Sequence, residues 1–116
     1  MGQWELEPLK KYQRLGKYYE KKMYEEYKAL NTNLDTYFKA LCKADNPMQV
    51  KLGFVHDEPE GIKALDQRGV LKKKLREMRL YVFPDVSTKI LYLLIIGDKR
   101  SQGQDIQFCR EYVRSL

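Results

Sequence analysis

The chain has 116 residues, of which 43% are hydrophobic, with a net charge of +6 and two cysteines. This length and apolar content suit one folded domain and argue against a wholly disordered chain. Two cysteines are too few for a disulfide framework or a cysteine-based zinc site, and the longest apolar run is far below the roughly 20 residues that span a bilayer. We therefore expect a single cytoplasmic domain over residues 1–116, without membrane contact.

The first third of the chain predicts two antiparallel helices. Apolar side chains recur at intervals of three and four between residues 12 and 30, which is the spacing of an amphipathic helix. We place the turn at residues 31–33, where Asn33 would cap a second helix with its buried face at 34–41. The helical part thus covers about residues 8–44.

The rest of the chain, about residues 50–116, predicts strands and a final helix. After a connection with an extended piece at 50–55, strands are predicted at 62–66, 72–83 and 89–96, with a turn at 84–87. The last strand is apolar on both alternations, as in a strand covered on both faces. Ser101 and Gln104 form a candidate capping box for the final helix. The predicted class is α+β: an N-terminal helical hairpin packed on a small, mostly antiparallel twisted sheet with a C-terminal helix.

Most of the excess positive charge lies in one stretch of the chain. Residues 62–79 contain seven basic and two acidic side chains, a balance of +5, whereas residues 1–61 contain ten of each. Clustered positive charge attracts polyanions such as nucleic acids. A solvated strand edge, where lysines discourage pairing with another sheet, would produce the same pattern.

The strand predicted at 72–83 would place Arg79 and Tyr81 side by side on an open face, with Glu77 behind them. The side chains at positions 78, 80 and 82 would face the core instead. Arginine binds phosphate through two donors, and tyrosine stacks on unpaired bases, so this pair favours a nucleic-acid site. The alternative is a surface arginine that only pairs with Glu77.

Conventional catalytic sets are scarce in this sequence. His56 is the only histidine; with Asp57 and Glu58 it could form a weak ion site, but a surface role is the simpler interpretation. No P-loop, dinucleotide-binding glycine motif or serine elbow is present. Cys42 and Cys109 fall on predicted buried helical faces, which disfavours a nucleophilic role. We therefore expect neither a metal nor a cofactor.

Three motifs follow one another towards the C-terminus. They are Arg79-Leu80-Tyr81-Val82-Phe83, the apolar run from Leu91 to Ile96 with Gly97-Asp98-Lys99 after it, and Ser101-Gln102 followed by Asp105-Ile106. This order resembles the RelE/ParE superfamily of bacterial toxins, most closely its HigB-like, phage-related branch. The resemblance covers about residues 60–113. The N-terminal helix pair fits in layout only, and Gln3–Leu6 could supply a first strand.

The resemblance implies the toxin of a type II toxin–antitoxin system. Ribosome-dependent members of the superfamily cut mRNA in the decoding site, so it implies a metal-independent endoribonuclease that inhibits translation. Its partners would be the ribosome, mRNA and a cognate antitoxin of helix-turn-helix type, with no small-molecule ligand. Gyrase-poisoning members share the fold without nuclease chemistry, so a non-catalytic inhibitor of DNA gyrase is one alternative, and a basic RNA-binding accessory protein is another.

The same resemblance assigns roles to individual residues. Arg79 would stabilise the pentavalent phosphate, and Tyr81 would stack on a base. Lys72 and Lys74 would both bind the RNA backbone, and one of them would act as the base. Asp105 falls near the place where relatives carry a C-terminal catalytic residue. His56 lies where some HigB-like members have a functional histidine. The remaining candidates, all for RNA binding, are Lys73, Arg76, Lys99, Arg100 and Arg68.

Overall fold

The protein is described here by a computed structural model that covers residues 3–116. Its helices and strands are, in chain order, β1 (Glu5–Pro8), α1 (Lys10–Lys22), α2 (Tyr24–Ala44), β2 (Val55–Asp57), β3 (Lys63–Asp66), β4 (Met78–Asp85), β5 (Ile90–Asp98) and α3 (Gln102–Arg114). Short 3-10 turns lie at Pro47–Gln49, Pro59–Gly61 and Lys99–Ser101. The predicted α+β class is confirmed.

The five strands form one mixed sheet in the order β1-β5-β4-β3-β2. β1 runs parallel to β5, and every other neighbouring pair is antiparallel, so the prediction of a mostly antiparallel sheet is confirmed. In the centre, Arg79 of β4 lies opposite Asp66 of β3 and Gly97 of β5. The end of β3, the start of β4 and the end of β5 therefore meet at one end of the sheet.

Helices cover both faces of this sheet. α1 and α2 pack on one face, over a core that includes Leu30, Tyr37 and Leu80. α3 packs on the other face, where its buried Cys109 joins a cluster with Tyr81 of β4. β5 is apolar on both of its faces because each face packs against helices, so the prediction of a strand covered on both faces is confirmed.

A bulge in β5 brings two consecutive side chains to the α3 face. Tyr81 pairs with Ile95 and Val82 pairs with Leu93, so Leu94 has no partner in β4. Leu94 and Ile95 then both join the cluster under α3. The bulge thickens the apolar layer around Tyr81.

The first two helices meet at Met23, and the break predicted at residues 31–33 is wrong. Met23 leaves the helical conformation, with φ −138° and ψ 64°, while its side chain is buried in the core. Asn33 is buried inside α2, and its side-chain amide donates to the carbonyls of Asp66 (2.8 Å) and Arg68 (2.9 Å). A long-range contact thus uses the amide that local sequence predicts as a helix cap.

The loop between β3 and β4, residues 67–77, includes the first six residues of the predicted long strand, so that part of the prediction is wrong. Buried side chains fix the loop at both ends. The Gln67 side-chain oxygen accepts from the Met78 N–H at 3.0 Å, and Glu26 accepts from the N–H (3.0 Å) and Nε (3.3 Å) of Arg76. The loop is irregular because its polar groups bond to these side chains instead of to a neighbouring strand.

The remaining differences from the predicted elements are small. β1 begins two residues later than expected. The extended piece predicted at 50–55 overlaps the short strand β2 only at Val55, so most of that prediction is wrong. β4 continues to Asp85, into the predicted turn. The capping box lies ahead of α3 and joins Asp98 to Ser101, so the predicted pairing of Ser101 with Gln104 is wrong. Each element was predicted in the right order.

Candidate nucleic-acid interface

A cleft of about 400 Å³ opens at the end of the sheet where β3 ends and β4 begins. The 67–77 loop and the 3-10 turn after β5 complete its walls. We call this surface the basic cleft; its lining residues are Asp66, Gln67, Arg68, Lys74, Leu75, Arg76, Glu77, Arg79 and Lys99. Five of the predicted site residues are therefore brought together.

Arg79 is the least exposed of the five cations of the basic cleft. Its backbone is paired on both sides within the sheet, and its side chain is 23% exposed. The guanidinium donates through Nε to Glu77 at 3.2 Å, and Nη1 lies 3.9 Å from a carboxylate oxygen of Glu58. Gln102, at the start of α3, donates to the same Glu77 oxygen. Arg79 is therefore oriented by neighbours before any ligand binds.

The sequence predicted Arg79 and its pairing with Glu77, which is present, but not the contributions of Glu58 and Gln102. Glu58 precedes a 3-10 turn and Gln102 begins α3, so neither is near Arg79 in sequence. The sequence indicated Glu77 as a surface partner of Arg79, but not as a residue that also binds Gln102. The Ser101-Gln102 motif was a signal, although nothing in the sequence indicates that Gln102 reaches β4.

The cations of the basic cleft differ in how far they are already neutralised. Arg76 donates to the buried carboxylate of Glu26, and burial of Glu26, which alone would raise its pKa, is outweighed by these hydrogen bonds, which lower it. Lys74 and Lys99 are exposed and form no ion pair with any of residues 3–116. These two ammonium groups are therefore the ones most available to a bound anion.

His56 lies beside the basic cleft, joined to it by Asp66 and Arg68. Its Nε2 atom is 2.6 Å from Asp66 Oδ2 and 3.0 Å from Nη2 of Arg68, and Arg68 donates through Nε to the same aspartate oxygen at 2.7 Å. Burial alone would raise the pKa of Asp66, but these donors outweigh it and lower the pKa below its usual value. A charged Asp66 thus holds the imidazole and the guanidinium together.

Three of the predicted lysines and arginines lie outside the basic cleft. Lys73 pairs with Glu25 of α2 and faces a different groove, and Lys72 is exposed in the loop. Arg100 lines the neighbouring groove beyond Lys99. Of the two lysines predicted as the base, only Lys74 therefore lines the cleft.

Tyr81 does not face solvent, and the prediction that it stands open beside Arg79 is wrong. The two side chains do point to the same face of the sheet, but α3 covers that face at Tyr81. The ring is fully buried, and its hydroxyl has no hydrogen-bond partner within residues 3–116. Burial, with the charge of Asp105, raises the pKa of this hydroxyl. A nucleic-acid base cannot reach the ring, so Tyr81 cannot stack on one.

Asp105 is also enclosed, so its predicted catalytic role has no support in the geometry. The side chain is buried, accepts a hydrogen bond from Ser101 Oγ at 2.7 Å and lies directly over Gly97 of β5. Burial raises the pKa of this carboxyl group above its ordinary value. Asp105 joins the first turn of α3 to the sheet.

The two cysteines agree in part with the prediction. Cys109 is buried on the face of α3 that packs on the sheet, and burial raises its pKa to about 12, which leaves almost no thiolate at neutral pH. Cys42 is half-buried in α2. Neither cysteine lines the basic cleft.

No protein-family model, curated protein or solved structure matches this chain. The resemblance to the RelE/ParE toxins therefore stays a prediction. Over residues 3–116, no helix combines the length and apolar character needed to cross a membrane. In the same range, no three His, Cys, Asp or Glu side chains are grouped as they would be around a metal ion.

Proposed function

We propose that the protein binds single-stranded RNA in the basic cleft and cuts it as a metal-independent endoribonuclease. The observation that carries the proposal is the convergence of five cations on a cleft that contains two carboxylates. Such an excess of positive charge favours a phosphate chain. Combined with the resemblance to RelE/ParE toxins, it favours mRNA on the ribosome, in the cytoplasm, as the substrate.

The proposed reaction is attack of a ribose 2′-hydroxyl on the adjacent phosphate. A bond forms from the 2′-oxygen to phosphorus, the bond to the 5′-oxygen breaks, and the products carry a 2′,3′-cyclic phosphate and a 5′-hydroxyl. Arg79, which Glu77 orients at 3.2 Å, stabilises the crowded phosphate charge. Lys74, as an ammonium group, donates a proton to the 5′-oxygen as its bond to phosphorus breaks, while water accepts the proton of the 2′-hydroxyl.

A second candidate function is RNA binding without cleavage. Burial of Tyr81 and Asp105 favours it, because two of the residues that the resemblance implies for catalysis cannot touch a substrate. The charge of the basic cleft serves either function equally. Only the fate of the bound RNA separates them.

The inhibitory partner that the proposal implies is an antitoxin segment lying over the basic cleft. An acidic or amphipathic segment would neutralise the exposed Lys74 and Lys99 and block access to Arg79. Binding of such a segment and of RNA would be mutually exclusive. Charge and shape of the cleft support this partner; they do not identify it.

A translation reaction with end-labelled mRNA tests the proposed function. We expect the wild-type protein to cut mRNA that is being translated and to leave 2′,3′-cyclic phosphate ends. Lys74→Ala should slow the cut by about 100-fold or more, as the loss of a general acid does. Lys43→Ala removes an exposed lysine of α2 outside the basic cleft and should cut at the wild-type rate.

The outcomes of that reaction separate the candidates. RNA that is bound in a salt-dependent manner but stays whole would support the second candidate and exclude the nuclease. A protein that neither binds nor cuts RNA at low salt would show that both are wrong. Equal rates for Lys74→Ala and the wild type would remove Lys74 from the mechanism.

A further inference from the structure

A second groove, of about 310 Å³, adjoins the basic cleft. We call it the tyrosine groove; its lining residues are Tyr18, Tyr19, Lys22, Met23, Arg76, Glu77, Asp98, Lys99 and Arg100. Arg76, Glu77 and Lys99 line both depressions. The two therefore form one continuous trough, from the start of β4 across the 3-10 turn to α1.

The tyrosine groove is basic like its neighbour. Lys22, Arg76, Lys99 and Arg100 face it, against the carboxylates of two residues. Lys99, Arg100 and Lys22 are all exposed. A chain of phosphates that leaves the basic cleft past Lys99 would thus continue over positive charge.

Tyr18 adds an aromatic surface to this charge. Its side chain is 52% exposed, on α1, although it is a large apolar ring. Tyr19, which is buried, holds the ring in place: the two ring centres are 5.0 Å apart with planes at 81°. A fixed, open ring beside a row of cations is the arrangement on which proteins stack the bases of single strands.

We propose that the tyrosine groove binds the nucleotide next to the one held in the basic cleft, with its base stacked on Tyr18 and its phosphate on Lys99 and Arg100. This inference rests on the proposed function, since it extends the same RNA strand. In this arrangement Tyr18 stacks on a base, which Tyr81 cannot do because it is buried. RNA is favoured over an acidic peptide because the trough combines continuous positive charge with a flat exposed ring.

Binding of a fluorescent eight-nucleotide single-stranded RNA, followed by anisotropy, tests this inference. We expect Tyr18→Ala to weaken binding about five- to fiftyfold, the usual effect of losing one stacked base, and Tyr18→Trp to stay within about twofold of the wild type. Tyr24→Ala is the matched control, because Tyr24 is 54% exposed on the same helical hairpin but lines a different groove. It should bind like the wild type.

An abasic oligonucleotide of equal length separates stacking from charge. The wild type should bind it more weakly than the normal RNA, and Tyr18→Ala should cause no further loss. If Tyr18→Ala weakens binding of both ligands equally, or binds RNA as tightly as a wild type that does bind it, the proposed role of the tyrosine groove alone is overturned. A wild type without RNA binding at low salt would overturn it together with the proposed function. If binding of a glutamate-rich peptide is weakened by Tyr18→Ala while binding of RNA is not, the groove is a peptide site instead.

Discussion

Replacing Gly97 with alanine is expected to lower the free energy of unfolding by about 2 to 3 kcal/mol. Gly97 lies in β5 under the first turn of α3, and an added Cβ would come within 3.0 Å of Asp105 Oδ2 and Ser101 Oγ. Those two atoms cannot simply turn away, because Asp105 is buried and the pair is hydrogen-bonded. Either α3 or β5 must shift. Urea denaturation followed by circular dichroism measures the loss.

Gly103→Ala is the matched control for that experiment. Gly103 is in the first turn of α3, and an added Cβ there meets nothing within 4 Å. Alanine in a helix should raise the free energy of unfolding by about 0.5 to 1 kcal/mol. A Gly97→Ala protein as stable as the wild type would show that α3 does not pack on β5 as described.

Arg79→Ala should slow RNA cleavage by about 100- to 1,000-fold, the usual cost of removing a group that stabilises transition-state charge. The fold should survive, because the lost ion pair with Glu77 is partly exposed and contributes at most about 1 kcal/mol. Single-turnover cleavage rates and urea midpoints, measured on the same preparations, test both parts. Arg79→Lys should recover little activity, since an ammonium group lacks the fork of donors.

Arg110→Ala is a matched control for the Arg79 variant. Arg110 is also a partly exposed arginine 3.3 Å from a glutamate, Glu60, but it lies in α3 outside the basic cleft. We expect wild-type cleavage from it. Full activity in Arg79→Ala would remove the guanidinium from the mechanism, and equal losses in both variants would indicate a general effect of charge.

Periodicity in the sequence predicted the two faces of β4 correctly. Leu80 and Val82 pack under the helical hairpin, whereas Arg79 and Tyr81 point to the opposite face. The exposure of that face was not predictable from β4 alone, because it depends on where α3 lies. β5 carried the signal: its apolar residues on both alternations already required a cover on the second face.

The candidate site could be predicted only in part. The concentration of charge between residues 62 and 79 indicated Arg79 and its basic neighbours, and four of them do meet in the basic cleft, together with Lys99. Residues 72–77 of the predicted strand lie in the loop instead, where the buried Glu26 binds Arg76, while Asn33 and Gln67 fix the two ends of the loop. Contacts that distant in sequence leave no periodic pattern. Tyr18 was not predicted, because it lies outside the apolar stripe of α1 and its groove is formed with residues distant in sequence.

Titration of ¹⁵N-labelled protein with a short single-stranded RNA tests most directly whether the basic cleft is the binding surface. We predict that shift changes will concentrate on the amides of Arg68, Lys74, Arg76, Arg79 and Lys99, and that added salt will reverse them. Changes confined to the far side of α2, around the exposed Lys39, or no change at low salt, would contradict this.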